Sequence, residues 1–287
     1  DPPERPAQAD LDALPFPDRG VLRNPDYYFN PFAGRKTTIM LTARGCPFHC
    51  SFCSRNPSMG AYRPMDEGRV LEEMEYIQAQ GYGFVSVIDE TFTFDRERCI
   101  RLARGMRKRG LDFLWSCQTR ADLVDEELIA ELKKAGCMNI SFGVEAGDEQ
   151  LRIGMEKKIT DDAFDRAFSI CRRAGLTINA FLIIGCPEET PEQVERSISK
   201  VISLGPDYAV YNVGTLFPGT REYENRLASG EIRRDMWDRY MNGEEKMPVL
   251  SRLMDREQLA ALLRKGYSKF YIRPGYILHK IAGIRSY

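Results

Sequence analysis

The chain is predicted to adopt an α/β fold in which a parallel sheet carries helices on its outer side. From Lys36 onward, short runs of β-branched or aromatic residues alternate with amphipathic helical stretches. Several of these stretches end in a glycine, as at Gly110 and Gly136, and one begins with the cap Thr190-Pro191. Such alternation, with glycines at helix ends and a cap at a helix start, is typical of successive βα units. Six strands with regular crossovers fit an open or partly closed barrel, and a doubly wound sheet fits nearly as well.

The individual elements follow from local composition. β-rich runs bounded by turn residues indicate strands, whereas apolar residues that recur every three or four positions indicate helices. The predicted strands are Thr37–Thr42, Phe84–Asp89, Phe113–Gln118, Asn139–Gly143, Thr177–Ile184 and Tyr208–Leu216. The predicted helices are Gly68–Gln80, Arg96–Arg109, Glu126–Ala135, Asp161–Ala174, Pro191–Leu204, Arg221–Ser229 and Asp255–Tyr271.

Three regions are predicted along the chain. Residues 1–32 are rich in Pro and Asp, which indicates a linker or N-terminal extension held down by a few apolar side chains. Residues 33–218 hold the strand–helix alternation, and residues 219–287 show helical patterns without a clear strand, as in a small helical extension. Because the chain opens in a linker, we expect a further segment upstream of it in the full-length protein.

Composition narrows the classes of function. The 287 residues are 43% hydrophobic and 29% charged, as in an ordinary globular protein, and the formal net charge is -1. Such a balance gives no bulk positive field for nucleic acid or for an anionic membrane. No apolar run approaches the roughly 18 residues of a membrane span, and the polar N-terminus is unlike a secretion signal. We therefore expect a cytoplasmic protein that binds neither membrane nor nucleic acid.

Three of the eight cysteines form the most informative motif of the chain. Cys46, Cys50 and Cys53 are spaced C-x3-C-x2-C directly after the first predicted strand. Clustered cysteines in a cytosolic chain of this size more often bind metal than form disulfides. Three thiolates leave a four-ligand site one ligand short, which suits chemistry at an open position better than a closed structural site. The other five are expected to be small core residues: Cys99, Cys117, Cys137, Cys171 and Cys186.

Polar groups also follow the other predicted strands. Because the carboxyl ends of parallel strands meet at one edge of a sheet, we expect these segments to lie around the cysteine loop. Any one of them alone is equally well a solvated loop, so their convergence is the stronger signal. The segments are Asp89-Glu90-Thr91, Gln118-Thr119-Arg120, Gly143-Val144-Glu145-Ala146-Gly147, Ile184-Gly185-Cys186-Pro187-Glu188 and Leu216-Phe217-Pro218-Gly219-Thr220.

The cysteine spacing, the aromatic Phe52 before the last cysteine and the strand order over about residues 36–218 resemble the radical S-adenosylmethionine (radical SAM) superfamily. The resemblance implies a partial (β/α)6 TIM-like barrel with parallel strands, followed here by the C-terminal helical extension. It implies a [4Fe-4S] cluster on Cys46, Cys50 and Cys53, whose fourth iron binds the amino and carboxylate groups of S-adenosylmethionine. Reductive cleavage then gives a 5′-deoxyadenosyl radical that abstracts hydrogen from a substrate.

The same resemblance suggests further cofactor-binding residues. Glu145 matches a position near the amino group or the ribose of the cosubstrate. Arg120 is a candidate partner of the cosubstrate's carboxylate, with a surface salt bridge to Asp122 or Asp125 as the alternative. Phe52 is placed to pack against adenine or shield the cluster, with ordinary core packing as the alternative. Ile183 and Gly185 fall in the stretch that resembles the family's adenine-contacting fifth strand, although Phe181 stands where that motif often has glycine.

Several segments are similar to the cobalamin-associated branch of this superfamily, namely Leu14-Pro15-Phe16-Pro17, Asp89-Glu90-Thr91-Phe92-Thr93 and Phe270-Tyr271-Ile272-Arg273-Pro274. That branch implies a small-molecule substrate, C-methylation or oxidative cyclisation, an electron donor such as flavodoxin or ferredoxin, and cobalamin held by an upstream domain. Cobalamin use stays open from the sequence.

Two alternatives and the substrate also stay open. A tRNA-modifying radical SAM enzyme would carry a basic, aromatic-bearing surface, which the balanced charge disfavours. A non-catalytic interaction protein would use His49 with the three cysteines in a Cys3His zinc site. The second histidine, His279, is expected to be structural. Candidates for lining a substrate pocket, equally plausible as core residues, are Asn179, Tyr208, Tyr211, Asn212, Trp237 and Tyr240.

Overall fold

The computed structural model describes residues 10–21, 28–30, 33–54 and 61–283. Strands alternate with helices over most of this range, as the sequence predicts. The strands are β1 (Phe29–Asn30), β2 (Arg35–Met40), β3 (Ala43–Arg44), β4 (Arg63–Pro64), β5 (Phe84–Val87), β6 (Leu114–Thr119), β7 (Cys137–Glu145), β8 (Thr177–Ile184) and β9 (Tyr208–Val213). The helices are α1 (Glu67–Ala79), α2 (Arg96–Lys108), α3 (Glu126–Lys134), α4 (Glu149–Gly154), α5 (Asp161–Arg173), α6 (Pro191–Leu204), α7 (Arg221–Ala228), α8 (Met236–Met241), α9 (Arg256–Tyr271) and α10 (Pro274–Gly283).

Strand order decides between the two architectures that the sequence leaves open. The main sheet runs β1-β2-β5-β6-β7-β8-β9, and every pair from β2 to β9 is parallel. A doubly wound sheet reverses its order at a switch point, whereas here each strand pairs with the next along the chain. The sheet curls into a half-barrel, and no pairing joins β9 to β2 within the described residues. The partial (β/α)6 barrel is therefore confirmed.

The core lies between the outer face of this sheet and the helices. On β8 the outward residues Ile178, Ala180, Leu182 and Ile184 are buried, while the alternate residues face the inside of the half-barrel and are half-buried. This alternation follows from the two-residue period of a strand. The helices cover the outer face with apolar stripes, which leaves the inner face for polar side chains.

Side-chain caps start most of the helices that flank the site. The carboxylates of Asp95 and Asp125 accept backbone N–H groups at the starts of α2 and α3, and Thr160 does so for α5. Thr190 forms a capping box with Gln193 ahead of α6. Each such cap stabilises its helix by about 1 kcal/mol. The caps fix where each helix begins, and hence the length of each loop at the carboxyl edge of the sheet.

The described part of the predicted linker is held against the barrel. Leu11 is buried, and the Arg19 guanidinium donates to Thr38 Oγ1 at 2.9 Å and to Glu73 Oε1 at 3.0 Å. Residues 1–9, 22–27 and 31–32 of that predicted region lie outside the described residues. The boundaries at residues 32 and 218 stay predictions. The described helices are all too short or too polar to cross a bilayer.

The C-terminal helices close the edge of the sheet at β9. The Tyr271 hydroxyl donates to Ala209 O at 2.8 Å and accepts the Ala209 N–H at 3.0 Å, so one side chain satisfies both outward backbone groups. One turn earlier in α9, the Tyr267 hydroxyl does the same for Tyr211, at 3.1 and 3.3 Å. An exposed edge strand invites pairing with other chains, and the two tyrosines occupy it. The helical extension thus completes the sheet in place of a further strand.

Substitution of Tyr271 by phenylalanine tests this arrangement. It removes a hydroxyl that both donates and accepts, so we expect the free energy of unfolding to fall by about 1 to 3 kcal/mol. Chemical denaturation followed by circular dichroism measures the change. Tyr240→Phe, which removes the same hydroxyl from α8 outside the sheet, is the matched control, and equal losses in both variants would show that Tyr271 does not secure the edge.

Candidate active site

The cysteine loop leaves the carboxyl end of β2 through a short two-stranded sheet of β3 and β4. Cys46, Cys50 and Cys53 are free and half-buried in this loop. Ser51, between two of them, donates its N–H to Met155 O at 3.0 Å, and its carbonyl accepts the Glu222 N–H at 3.1 Å. The loop is therefore anchored both to the segment after α4 and to α7.

A buried carboxylate fixes the start of this loop. Asp89, at the end of β5, accepts the Thr42 N–H at 2.6 Å and the Thr42 hydroxyl at 2.5 Å. The Arg98 guanidinium donates to Thr42 O and to Met65 O, each at 2.9 Å. Burial raises the pKa of Asp89 to about 6, against the opposing effect of these hydrogen bonds. Asp89 and Arg98 thus set the backbone from which the first cysteine is presented.

The three cysteines line one cavity of about 260 Å³ at the carboxyl edge of the sheet. Cys46 Sγ lies 3.4 Å from the hydroxyl of Thr91, which follows β5. Residues that follow β5, residues on or after β6 and β7, and one residue of β8 complete the wall, as expected when parallel strands end together. The remaining lining residues are Phe48, Phe52, Glu90, Gln118, Thr119, Arg120, Ser141, Gly143, Glu145, Lys157 and Phe181.

An ion pair forms the charged part of this wall. Lys157 Nζ donates to Glu145 Oε1 at 2.6 Å, and the two side chains are only 7% and 14% exposed. Glu145 has a φ of 62°, and the register of β7 against β8 shifts at this residue. A Cβ on Gly143 would collide with the Glu145 carboxylate and would lie 2.7 Å from Lys157 Nζ. The strained backbone and the glycine together aim the pair into the cavity.

Positive charge faces the middle cysteine. Burial raises the pKa of the Cys50 thiol above its ordinary value, while Lys157 and Arg120 oppose that shift by stabilising the thiolate. The Arg120 side chain is 9% exposed, holds Asp122 through two hydrogen bonds of 3.0 and 2.8 Å, and donates to Lys157 O at 2.8 Å. It also stacks over the Phe48 ring at 3.8 Å.

These features match a known family. The model of the Radical SAM superfamily matches residues 40–201, which is more than half of the chain. The chain belongs to the radical SAM superfamily. This superfamily uses S-adenosylmethionine and a [4Fe-4S] cluster, and the matched range contains all three cysteines and the whole cavity wall.

Relatives within the superfamily include methyltransferases and cyclases. An uncharacterized methyltransferase, PH0819, of Pyrococcus horikoshii is 31% identical over 97% of this chain and 60% of its own length. The anaerobic magnesium-protoporphyrin IX monomethyl ester cyclase of Rubrivivax gelatinosus is 30% identical over 96% of this chain and 49% of its own. The chain therefore spans about half the length of these relatives.

A solved radical SAM methyltransferase has a similar fold. TsrM from Kitasatospora setae, determined with cobalamin and a [4Fe-4S] cluster bound, is 26% identical to this chain. The match has a TM-score of 0.62 and covers 69% of this chain and 40% of TsrM.

The thiols present fit the cluster that the radical SAM superfamily implies. Thiolates suit soft, redox-active iron better than a hard cation. Each cysteine of such a cluster binds a different iron, so the sulfurs need not converge on one point. Within the described range, no three His, Cys, Asp or Glu side chains converge closely enough to hold a single ion. His49 is exposed, which does not favour the Cys3His zinc alternative.

The structure places three of the five predicted cofactor residues in the cavity wall, namely Phe52, Arg120 and Glu145. Phe52 also packs against two small apolar clusters, and its role stays a prediction. Ile183 packs against these clusters at the end of β8. Gly185 has a φ of 86°, and a Cβ there would approach Leu259 to 2.5 Å. Ile183 and Gly185 are not among the residues that line the cavity.

Lys157 is the functional candidate that the sequence reasoning missed. It lies in a polar turn between α4 and α5, where nothing in its residue type separates it from Lys158. The alternation of apolar Met155 and Ile159 around it is the available signal, because a two-residue period places Lys157 on their buried side. Lys158, on the other side, is exposed.

The substrate candidates lie at four places in the fold. Tyr211 is 2% exposed and lies in the core against Gly266 of α9, so it does not face the cavity. Asn179 lies on the inner face of the sheet, where its amide donates to Asn139 and Ser141 at 3.2 Å each. Outside the barrel, Trp237 stacks on Phe217 at 5.6 Å and contacts Tyr240. Tyr208 and Asn212 lie on β9, and the side chain of His279 is outside the described residues.

Proposed function

We propose that this chain cleaves S-adenosylmethionine reductively and uses the resulting 5′-deoxyadenosyl radical to abstract hydrogen from a small-molecule substrate. The observation that carries the proposal is the lining of one cavity by three thiols and a buried ion pair of opposite charges. Cys46, Cys50 and Cys53 would hold the [4Fe-4S] cluster, which would supply the electron for that cleavage. The protein's own contribution is to bind and orient the cosubstrate and to exclude water around it.

Glu145 and Lys157 suit the amino-acid end of S-adenosylmethionine. That end carries an amino group, which donates N–H, and a carboxylate, and the cavity wall presents one carboxylate and one ammonium with little exposure to water. Charge-assisted hydrogen bonds are about twice as strong as neutral ones. In the free protein the two side chains satisfy each other, so neither buried charge is left unpaired. Binding exchanges this pair for two complementary pairs with the ligand.

Arg120 remains a proposed partner of the same carboxylate. Two of its hydrogen bonds are already directed at Asp122 and a third at Lys157 O. The guanidinium therefore also holds the backbone that presents Lys157. We place Lys157 in direct contact with the carboxylate and Arg120 beside it as additional positive charge.

The adenine end is assigned to Phe52, which offers an aromatic face in the cavity wall. Ile183, at the end of β8, packs with Phe52 against the same small apolar clusters. Gly185 follows two residues later, in a conformation that favours glycine, and both residues remain proposed adenine contacts. An aromatic face recognises a purine through stacking.

Methylation or oxidative cyclisation of a small molecule is the outcome that the relatives support. The similar proteins include methyltransferases and an anaerobic cyclase, and TsrM was solved with cobalamin bound. We propose that the complete protein uses cobalamin if it methylates. A low-potential protein such as flavodoxin or ferredoxin is the proposed electron donor.

Product analysis of the anaerobically reconstituted protein tests the cleavage. With dithionite and S-adenosylmethionine we expect 5′-deoxyadenosine, and Cys50→Ala is expected to abolish it because one iron ligand is lost while the fold is kept. Chromatography quantifies the nucleosides, and circular dichroism checks the fold. If S-adenosylhomocysteine also forms when cobalamin is added, this would indicate methyl transfer. A folded Cys50→Ala protein that still forms 5′-deoxyadenosine would refute the assignment.

Lys157→Met tests the charged wall separately from the cluster. Loss of one charge-assisted hydrogen bond is expected to raise the dissociation constant of S-adenosylmethionine by about 10- to 100-fold. Iron content should stay unchanged, since Lys157 is not a ligand. Isothermal titration calorimetry gives the affinity, and Lys158→Met, at the exposed neighbouring residue, is the control. Equal affinities in the two variants would exclude Lys157 from the contact.

A further inference from the structure

A fully buried carboxylate joins two of the loops that bound the cavity. Glu189 is 0% exposed and follows the loop after β8. Its Oε2 accepts the N–H of Gly185 at 2.9 Å and that of Cys186 at 3.2 Å. Its Oε1 accepts the Ser197 hydroxyl at 3.2 Å, and Ser197 Oγ accepts the Gly147 N–H at 2.8 Å. A continuous chain of hydrogen bonds thus runs from the β8 loop to the β7 loop.

The two loops carry the two ends of the proposed ligand site. Gly147 stands two residues after Glu145, which is assigned to the methionyl end. Gly185 belongs to the stretch assigned to adenine. A Cβ on Gly147 would collide with the backbone of Ser197 in α6, so the β7 loop lies directly against that helix. Glu189 and Ser197 therefore lie outside the cavity and contact the backbone of the segments that follow β7 and β8.

The hydrogen-bond partners of Glu189 carry no positive charge, so burying its carboxylate costs free energy. They are two backbone N–H groups and one hydroxyl, rather than a lysine or an arginine. Burial raises its pKa to about 7 despite these hydrogen bonds. An isolated buried carboxylate costs free energy that an apolar side chain would not. What it provides is an acceptor that takes several donors at once and so ties separate segments together.

We propose that Glu189 and Ser197 are positioning residues that hold the β7 and β8 loops at one separation, so that both ends of S-adenosylmethionine are gripped together. This inference rests on the proposed function. The Ser197 hydroxyl connects the two loops, because within this series of hydrogen bonds it is the group that contacts the β7 loop. Without it, each loop keeps its own contacts to the ligand, but a hydrogen bond that sets the spacing of the two loops beyond the ends of the strands is lost.

Two ligands, one with and one without the amino-acid end, test whether Ser197 connects the two loops. S-adenosylhomocysteine carries adenosine and the amino-acid end, whereas 5′-methylthioadenosine lacks the amino-acid end. In the anaerobically reconstituted protein, Ser197→Ala is expected to raise the dissociation constant of S-adenosylhomocysteine about tenfold. The dissociation constant of 5′-methylthioadenosine should change less than about twofold, since that ligand contacts one loop only. Calorimetry measures both, and neither readout depends on turnover.

Ser199→Ala is the matched control on the same helix, because its exposed hydroxyl bonds only to Glu195 O at 2.9 Å. It should leave both affinities unchanged. Glu189→Gln is the second variant; it should also weaken S-adenosylhomocysteine, and urea denaturation establishes that it is folded. Equal weakening of the two ligands by Ser197→Ala, or no weakening of either, would overturn the inference. If the unchanged protein bound neither ligand, the proposed function itself would fail, which is a distinct result.

Discussion

Pairing of six parallel strands in chain order is the constraint on which the rest of the structure depends. Because each of these strands pairs with the next strand of the same sheet, every carboxyl end reaches the same edge. The cysteine loop after β2, the ion pair at β7 and the glycine turn after β8 are far apart along the chain, and this topology brings them to that edge. The edge that this open sheet leaves at β9 is occupied by two tyrosine hydroxyls rather than by another strand.

Buried carboxylates near this edge of the sheet have hydrogen-bond partners within the protein. Three acidic groups lose most of their contact with water, and their partners are of two kinds: neutral backbone and hydroxyl donors for two of them, and a cation for the third. Asp89 takes backbone and hydroxyl donors from Thr42, Glu145 takes the Lys157 ammonium, and Glu189 takes two N–H groups and a serine. Only one of the three has a cation as its direct partner. Glu145, which is paired with that cation, lines the cavity, where a ligand that carries both charges can replace the ion pair. Asp89 and Glu189 instead hold backbone segments in place.

Sequence reasoning located most of the fold because its signals are local. The strand Thr177–Ile184 and the helix Pro191–Leu204 have the predicted bounds, since a capping residue, a proline and a change of period mark them. The short strand pair β3 and β4 was missed, because two-residue strands carry no periodic pattern. α4 and α8 were missed for a similar reason, as helices of six residues offer fewer than two turns of signal.

The site could be predicted only where the spacing of residues along the sequence indicates the chemistry. The spacing of the three cysteines identifies them, and Glu145 is predicted from its match to a position in the family's pattern. Lys157 does not, because its role comes from a turn in which Glu156 and Lys158 have positive φ values of 59° and 51°. Such a turn is decided by tertiary contacts and not by propensity. Likewise, nothing local distinguishes Ser197 from Ser199, although one joins two loops and the other faces water.

The central claim is that three thiolates hold a cluster whose remaining iron is open to S-adenosylmethionine. Electron paramagnetic resonance of the reduced, reconstituted protein, with and without that ligand, tests it most directly. The account predicts a changed spectrum, because amino and carboxylate groups of the ligand enter the surroundings of one iron. An identical spectrum from protein shown by equilibrium dialysis to have the ligand bound would contradict it.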